Sequence, residues 1–442
     1  MYKKIRYYFW LIIGIFKRYI KVIIGTFLLG TLLLVIFVKF GPILSNLTQS
    51  THQIIGMVGN YTPTNLPYSV LRLISLGLTD INEAGEPMPA IATSWKISED
   101  KKTYTFTLRD DLYWHDGKKF TAYDVNYNLK DVNFIPIKNS ELEVKLKNSF
   151  SPLPNLLSKA LFKKGMIGLG SYKIKEIKLK GENITYLKLE SLANDLPFIE
   201  IKFYASESQA KEAFKLGEVN VLDEMTDASP FNNWPNMTIK KNSKYNRYVG
   251  IFFNLNDQKL KTKETRQGLS YAIDKPENNR VSTPLSVKSW AYTNRVKQYD
   301  KDVAQAEKLL ADLIASQSGE LTLSTINPYL STAQLIKSQW EDLGIKTKIK
   351  VENGLPENFQ VLLMALDIPT DPDQYAYWHS TQTTTNITGY SNPKIDKLLE
   401  DGRQQTDKEE RLATYYDFQR YLVEDAPAIF LYYPETYTII RN

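Results

Sequence analysis

The side chains with the most obvious chemical use sit together in "LMALDIPTDPDQYAYW", Leu363 to Trp378. Three carboxylates, Asp367, Asp371 and Asp373, follow an apolar run and precede Tyr375, Tyr377 and Trp378. Carboxylates so placed can hold a cation, do acid–base work or simply form turns, for which Asp-Pro-Asp is a good formula. A Ca²⁺ loop does not fit. Counted from Asp367 the sixth position is Pro372 rather than Gly and the twelfth is Trp378 rather than Glu; counted from Asp371 the twelfth is Gln382. A surface peptidase would need a nucleophile or a metal set beside the acids. "SQAK", Ser208 to Lys211, matches Ser-x-x-Lys, but no Ser-Asp-Asn or Lys-Thr-Gly accompanies it. There is no His-Glu-x-x-His, Gly-x-Ser-x-Gly or Walker loop. The pattern points to binding rather than catalysis, with no metal and no cofactor expected.

Composition narrows the class. The 442 residues, 43% hydrophobic and 24% charged, are enough for two lobes or two to three domains with a large core. No cysteine is present, which removes disulfides, thiolate metal sites, a cysteine nucleophile and a lipid-modified N-terminal cysteine. Only His52, His115 and His379 could supply imidazoles. The net charge of +6 belongs to the first fifty residues, which hold seven Lys/Arg and no acid; the rest has 48 basic and 49 acidic residues. Nucleic acid is therefore not an expected partner.

"VIIGTFLLGTLLLVIFV", Val22 to Val38, is an uncharged run of seventeen, long enough to cross a bilayer at the short end of the range. Lys39 can snorkel, and residues 40–44 extend the apolar character. Lys3, Lys4, Arg6, Lys17, Arg18 and Lys21 precede the run, which puts the N-terminus in the cytoplasm. The competing reading, a cleaved signal peptide, wants a small-residue cleavage site that "VKFGPILSN" lacks. The expected order is a cytoplasmic basic segment at 1–21, a transmembrane anchor at 22–44, a linker at 45–50 and an extracytoplasmic body.

Within the body, "EPMPAIATSWKISEDKKTYTFTLRDDLYWHDGKKFTAYDV", residues 86–125, alternates with period two. Trp95 and Ile97, then Tyr104, Phe106 and Leu108, read as a half-buried β-hairpin. "HDG" reads as a turn, and Thr121 with Asp124 as a capping box opening a helix. From about residue 260 helices alternate with strands. "TRQGLSYAIDK", "DVAQAEKLLADLIA", "STAQLIKSQWEDLG", Lys394–Gln405 and Lys408–Glu424 read as helices, the third with a Ser331–Gln334 capping box and Gly344 as its stop. "LTLSTI", "IKTKIKV" and "FQVLLMAL" read as strands. Such alternation implies a mainly parallel sheet, with ligand at the carboxyl ends of its strands. The loop after "FQVLLMAL" is then the place for a site.

Several long segments together resemble the bacterial extracellular solute-binding proteins of family 5, the peptide- and nickel-binding components of ABC importers. They are "PMPAIATSWKISEDKKTYTFTLRDDLYWHDGKKFTAYDVNY", "IGLGSYKI", "FKLGEVNVL" with Asn220 where Asp is usual, "FFNLNDQKLKTKETRQGLSYAIDK", "DPDQYAYW" and "YSNPKIDKLLEDGRQQTDKEERLATYYDFQRYLVEDAPAIFLYY". The resemblance covers about residues 70–435. It implies an α/β, two-lobe, type II periplasmic-binding-protein-like fold behind an N-terminal transmembrane helix, with lobe I at 51–250 plus 430–442 and lobe II at 251–429. It makes the 86–125 module scaffold and His115 a turn residue. The chain ends at Asn442 and residues 276–300 are abbreviated, so a trimmed lobe I and a more open pocket are expected.

The resemblance also implies a function, that of a solute-binding protein and not an enzyme, capturing peptides or another small solute by hinge closure and working as a monomer with an ABC permease. A cell-surface sensor for muropeptides or another solute is the alternative. A peptide binder needs a carboxylate for the ligand amine and strand edges for its backbone. By resemblance Asp367 takes the amine, one residue further from Asp371 than usual, and Met364 stands where Trp is common. Asp371, Asp373, Tyr375, Tyr377 and Trp378 are placed near the cleft. Leu76 and Gly77 match the lobe I edge beside a bound peptide, and Asn254 lies at the crossover.

Overall fold

The computed structural model describes residues 52–193, 195–315 and 320–442, together with 10, 18–21, 24–26, 29–32, 34 and 39. Most of the proposed anchor and all of the linker lie outside these residues. Among those described, no helix is long and apolar enough to cross a membrane.

Two sheets organise the body. The first has seven strands in the order Met237–Ser243, Glu435–Arg441, Val221–Met225, Gln53–Val58, Ile199–Tyr204, Asn183–Ser191 and Tyr172–Lys180. Asn220 ties its central strand in place: the side-chain oxygen accepts from Ile54 N–H at 2.8 Å and the amide donates to the His52 carbonyl at 2.8 Å. The second has five strands in the order Thr347–Glu352, Leu321–Ile326, Val361–Asp367, Arg247–Phe253 and Ala428–Tyr432. Its fourth strand, Arg247–Phe253, reads "RYVGIFF" and is buried beyond its first residue. Tyr248 and Phe252 enter the core on one face; Val249, Ile251 and Phe253 enter the core on the other. A strand covered on both faces is nearly continuously apolar for this reason.

A four-stranded antiparallel sheet, Ala92–Ile97, Thr103–Leu108, Glu141–Leu146 and Val132–Lys138, carries the expected hairpin. Tyr104, Phe106 and Leu108 are buried at its centre. The Thr121–Asp124 capping box forms, but it closes a single 3₁₀ turn rather than opening a longer helix. His115 fastens the neighbouring turn, its N–H donating to the Gly168 carbonyl at 3.0 Å.

Two expectations for the C-terminal part are corrected. The second sheet is not mainly parallel. Its 321–326 strand is parallel to both neighbours, whereas Arg247–Phe253 is antiparallel to both of its own, because it enters from the other lobe. The Ser331–Gln334 box is not used: the helix spans Leu330–Glu341 behind a 3₁₀ turn at Asn327–Tyr329, so Ser331 lies inside it. The lobes also touch on the side away from the hinge. Trp290 N–H donates to the Ala84 carbonyl at 3.0 Å and Ser151 N–H to the Arg403 carbonyl at 2.7 Å. Ser149 Oγ donates to the Gln404 carbonyl at 2.9 Å, and Lys408 pairs with Glu86.

Inside the second lobe, Lys275 donates to the carbonyls of Ser270, at 2.8 Å, and Tyr299. Burial, reinforced by Arg280, pushes its ammonium down from 10.5 to about 7, against Asp300 and Asp274. Between pH 7 and 10.5 the unfolded chain then holds a proton that the folded chain has released, so this group makes stability rise with pH across that window. Thermal melts at pH 6 to 9.5 should show Lys275→Met with a flatter pH dependence than the parent and a gain concentrated at the acid end. Parallel curves would remove the assignment.

Candidate functional site

The two sheets are joined by two crossovers lying side by side. Met237–Ser243 pairs with Glu435–Arg441 in the first sheet, and the same two segments pair again as Arg247–Phe253 and Ala428–Tyr432 in the second. Between the paired stretches, Lys244 N–H donates to the Pro434 carbonyl at 2.9 Å, and Tyr245 meets Tyr433 edge-on with centroids 5.1 Å apart.

Two cavities between the lobes flank this junction. One, of about 410 Å³, lies among the Asn82–Gly85 turn, Tyr245, Asn246, Ser286, Lys288 and Ile368–Thr370. The other, of about 660 Å³, is bounded by Glu207, Glu224, Lys244, Arg247, Tyr329 and Tyr432. Asn246 lines both. Each is of a size that small-ligand sites occupy. The turn that walls the first is built from Asn82, whose side-chain oxygen accepts from Ala84 and Glu86 N–H, both at 2.9 Å. Gly85 there has φ +82°, and a Cβ would stand 2.2 Å from the Thr370 carbonyl across the cleft. Glu224, at the end of a bulged strand, is held at φ +58° and pairs with Lys244. Backbone in that region is costly for a non-glycine residue and tends to persist where function needs it.

Arg247 and Asp367 face each other directly across adjacent antiparallel strands and form an ion pair, Nε to Oδ1 at 2.6 Å. Both are half-exposed or more, at 50% and 65% of their side-chain areas. The hydrogen bond it donates to Asp367 holds the Arg247 guanidinium pKa above its ordinary value. Tyr61, Tyr329 and Tyr377 surround the pair electrostatically. Burial raises all three phenols; Arg247 lowers the first two, and Asp367 raises the third.

The other residues expected at the site fall into two groups. Asp371 is buried and chelated by Arg411, with Nη2 to Oδ1 at 2.7 Å and Nη1 to Oδ2 at 3.3 Å. Burial raises its pKa, against the attraction of Arg411. Asp373 caps Tyr375 N–H at 3.0 Å and accepts from Arg403 Nε at 2.8 Å, and Tyr375 lies between Arg403 and His379, each 4.0 Å away. Met364 and Tyr377 are partly buried against the lobe II core. Three expectations are corrected. Trp378 is 1% exposed inside that core and does not line the cleft. Asn254 spends both groups inside lobe II, donating to the Phe359 carbonyl at 2.9 Å and accepting from Asn256 N–H at 3.0 Å. Leu76 and Gly77 are not a free edge: their carbonyls accept from Leu161 and Ile91 N–H, and a Cβ on Gly77 would stand 2.5 Å from Ser158 backbone.

Sequence reasoning missed Arg247, Lys244, Glu224, Tyr245, Asn246 and the Asn82–Gly85 turn. A usable signal was present for Arg247, a lone charge opening the apolar run "YVGIFF", but its partner 120 residues away is set by strand register.

Two lobes on paired crossovers, with cavities lined from both sides at the junction, define a cleft-binding protein. The chain belongs to the bacterial extracellular solute-binding proteins, family 5, whose family model (middle portion) matches residues 86–141 and 137–387. It is 24% identical to oligopeptide-binding protein AppA of Bacillus subtilis, over 88% of this chain and 87% of that protein. Among solved structures it is similar to NikZ of Campylobacter jejuni in complex with Ni(L-His), with TM-score 0.75 and 25% identity over 88% of this chain and 94% of that one. It is also similar to B. subtilis AppA in complex with a nonapeptide, with TM-score 0.69 and 22% identity over 88% and 95%. This chain, like these relatives, is a solute-binding protein and not an enzyme.

The two charge pairs separate by burial. Asp371→Ala leaves Arg411 uncompensated in the interior and should cost about 3–5 kcal/mol of stability, whereas Asp367→Ala should cost under about 1 kcal/mol. Urea unfolding of the two variants checks this; equal losses would place Asp367 among the structural residues.

Proposed function

We propose that this protein is a membrane-anchored, extracytoplasmic binding component of an ABC importer that captures peptides between its lobes and presents them to a permease. The observation that carries the peptide reading is Asp367, an exposed carboxylate at the end of a lobe II strand, beside two cavities lined by both lobes. Curated relatives that include oligopeptide- and dipeptide-binding proteins support it. Hinge closure is the mechanism. The paired crossovers let the lobes move as bodies, and a ligand touching both favours the closed form through its differential contacts.

The anchor is supported by the uncharged run Val22–Val38 and the basic residues before it. Ile24, Leu29, Leu32 and Leu34, described as helical, are 51–65% exposed, which suits a lipid-facing helix better than one packed on the body.

Full-length protein purified in detergent and released into native mass spectrometry should carry a set of masses that resolve into peptides on denaturation. Asp367→Ala should reduce that load at least about tenfold while the variant stays folded. A bare protein whose melting temperature is unmoved by a mixed peptide library would end the peptide reading and favour a sensor of some other solute.

A further inference from the structure

The carboxylate best placed for a ligand amine is already occupied by a cation of this chain. Arg247 and Asp367 are locked in position by backbone: Arg247 N–H donates to the Lys244 carbonyl at 3.1 Å, and Ile368 N–H to the Asn246 carbonyl at 2.8 Å. The pair sits at the partition of the cleft. Arg247 lines the larger cavity, and the residues following Asp367 line the smaller. Only Nε of the guanidinium and Oδ1 of the carboxylate are used in the pair. Among the described residues, neither Nη group of Arg247 makes a hydrogen bond, nor does Oδ2 of Asp367. The three acids lining the larger cavity already have partners: Glu207 accepts from Thr226 N–H at 2.7 Å, Glu224 pairs with Lys244, and Glu435 pairs with Lys241 at 2.7 Å.

An amine approaching Asp367 therefore meets a guanidinium 2.6 Å from the same carboxylate. Like charges so close oppose each other unless an anion compensates. A guanidinium with both Nη groups free is shaped for that anion, since its planar fork takes a carboxylate through two parallel hydrogen bonds.

Building on the peptide reading, we infer that Arg247 is a specificity-determining residue of the cleft. It occupies Asp367 in place of a ligand amine and yields only to ligands that bring a carboxylate to its Nη groups. The cleft thus selects short zwitterionic peptides, with a free carboxylate as well as a free amine, over cationic ligands of the same size.

The test is a competition on full-length protein in detergent. Equimolar random tripeptide pools with free ends, N-acetylated ends and C-amidated ends are mixed, and the bound fraction of each is read by native mass spectrometry. The parent should prefer free ends over C-amidated ends by about tenfold or more. Arg247→Gln should reduce that preference to about twofold or less while keeping discrimination against N-acetylated peptides. Arg247→Lys, which keeps the charge but lacks the fork, should restore only part of it. Peptide binding with no preference for a free carboxylate, or a preference that Arg247→Gln leaves intact, overturns the inference while the peptide reading stands. Absence of any bound peptide from the parent removes both.

Discussion

Two chain segments, residues 237–253 and 428–441, stay hydrogen-bonded to each other through both lobes, and the rest of the architecture depends on that pairing. Only residues 244–246 on one segment and 433–434 on the other bridge the two sheets. Bending confined to those few backbone dihedrals would leave the sheets on either side in register, which is the geometry of a hinge. The Tyr245–Tyr433 contact and the bond from Lys244 to Pro434 keep the links together, which favours hinge bending over shear. The same pairing decides where chemistry can happen. Arg247 is the first residue of its strand after the link, and the antiparallel register with Val361–Asp367 puts Asp367 opposite it.

The seam on the far side of the cleft sets how readily the lobes part. It consists of a few backbone hydrogen bonds, the Lys408–Glu86 pair and Arg403 over Phe150 at 5.3 Å. Each hydrogen bond is worth about 0.5–1.5 kcal/mol, and the exposed ion pair about 0–1 kcal/mol. The sum, offset by the ordering of both surfaces, is of the size that a small ligand's binding energy can tip. Gly85 contributes by having no side chain: any Cβ there would meet the Thr370 carbonyl and hold the lobes apart.

The parts legible in the sequence were those with short-range causes. Alternation placed the 92–97 and 103–108 hairpin, helical periodicity placed Val303–Ala315 and Lys408–Asp425, and Gly344, at φ +81°, stops its helix as read. What was not legible depended on register and long-range packing. The antiparallel entry of Arg247–Phe253 is fixed by its origin in the other lobe, not by its own apolar pattern. Ser331 and Gln334 had the right spacing for a cap, but the 3₁₀ turn at Asn327–Tyr329 starts the chain turning earlier. Trp378 could not be told from a cleft aromatic, because an aromatic after a turn looks the same in sequence whether it faces core or solvent.

The three aspartates that seemed one cluster show why residue type alone misleads. Asp371 is bound in two hydrogen bonds by Arg411 and shielded from water, so its charge is used up in holding the helix Lys408–Asp425 to the loop after the strand. Asp373 works locally, capping one turn and steadying Arg403, which itself reaches across to Phe150 of lobe I. Asp367 is the one whose partner is shared with solvent and whose second oxygen is uncommitted among the described residues. A buried pair loses too much on separation to exchange partners with a ligand. A half-exposed pair costs little to open. Of the three, therefore, it is the weakly held carboxylate that can serve recognition, and the arginine that holds it weakly must take part in any exchange.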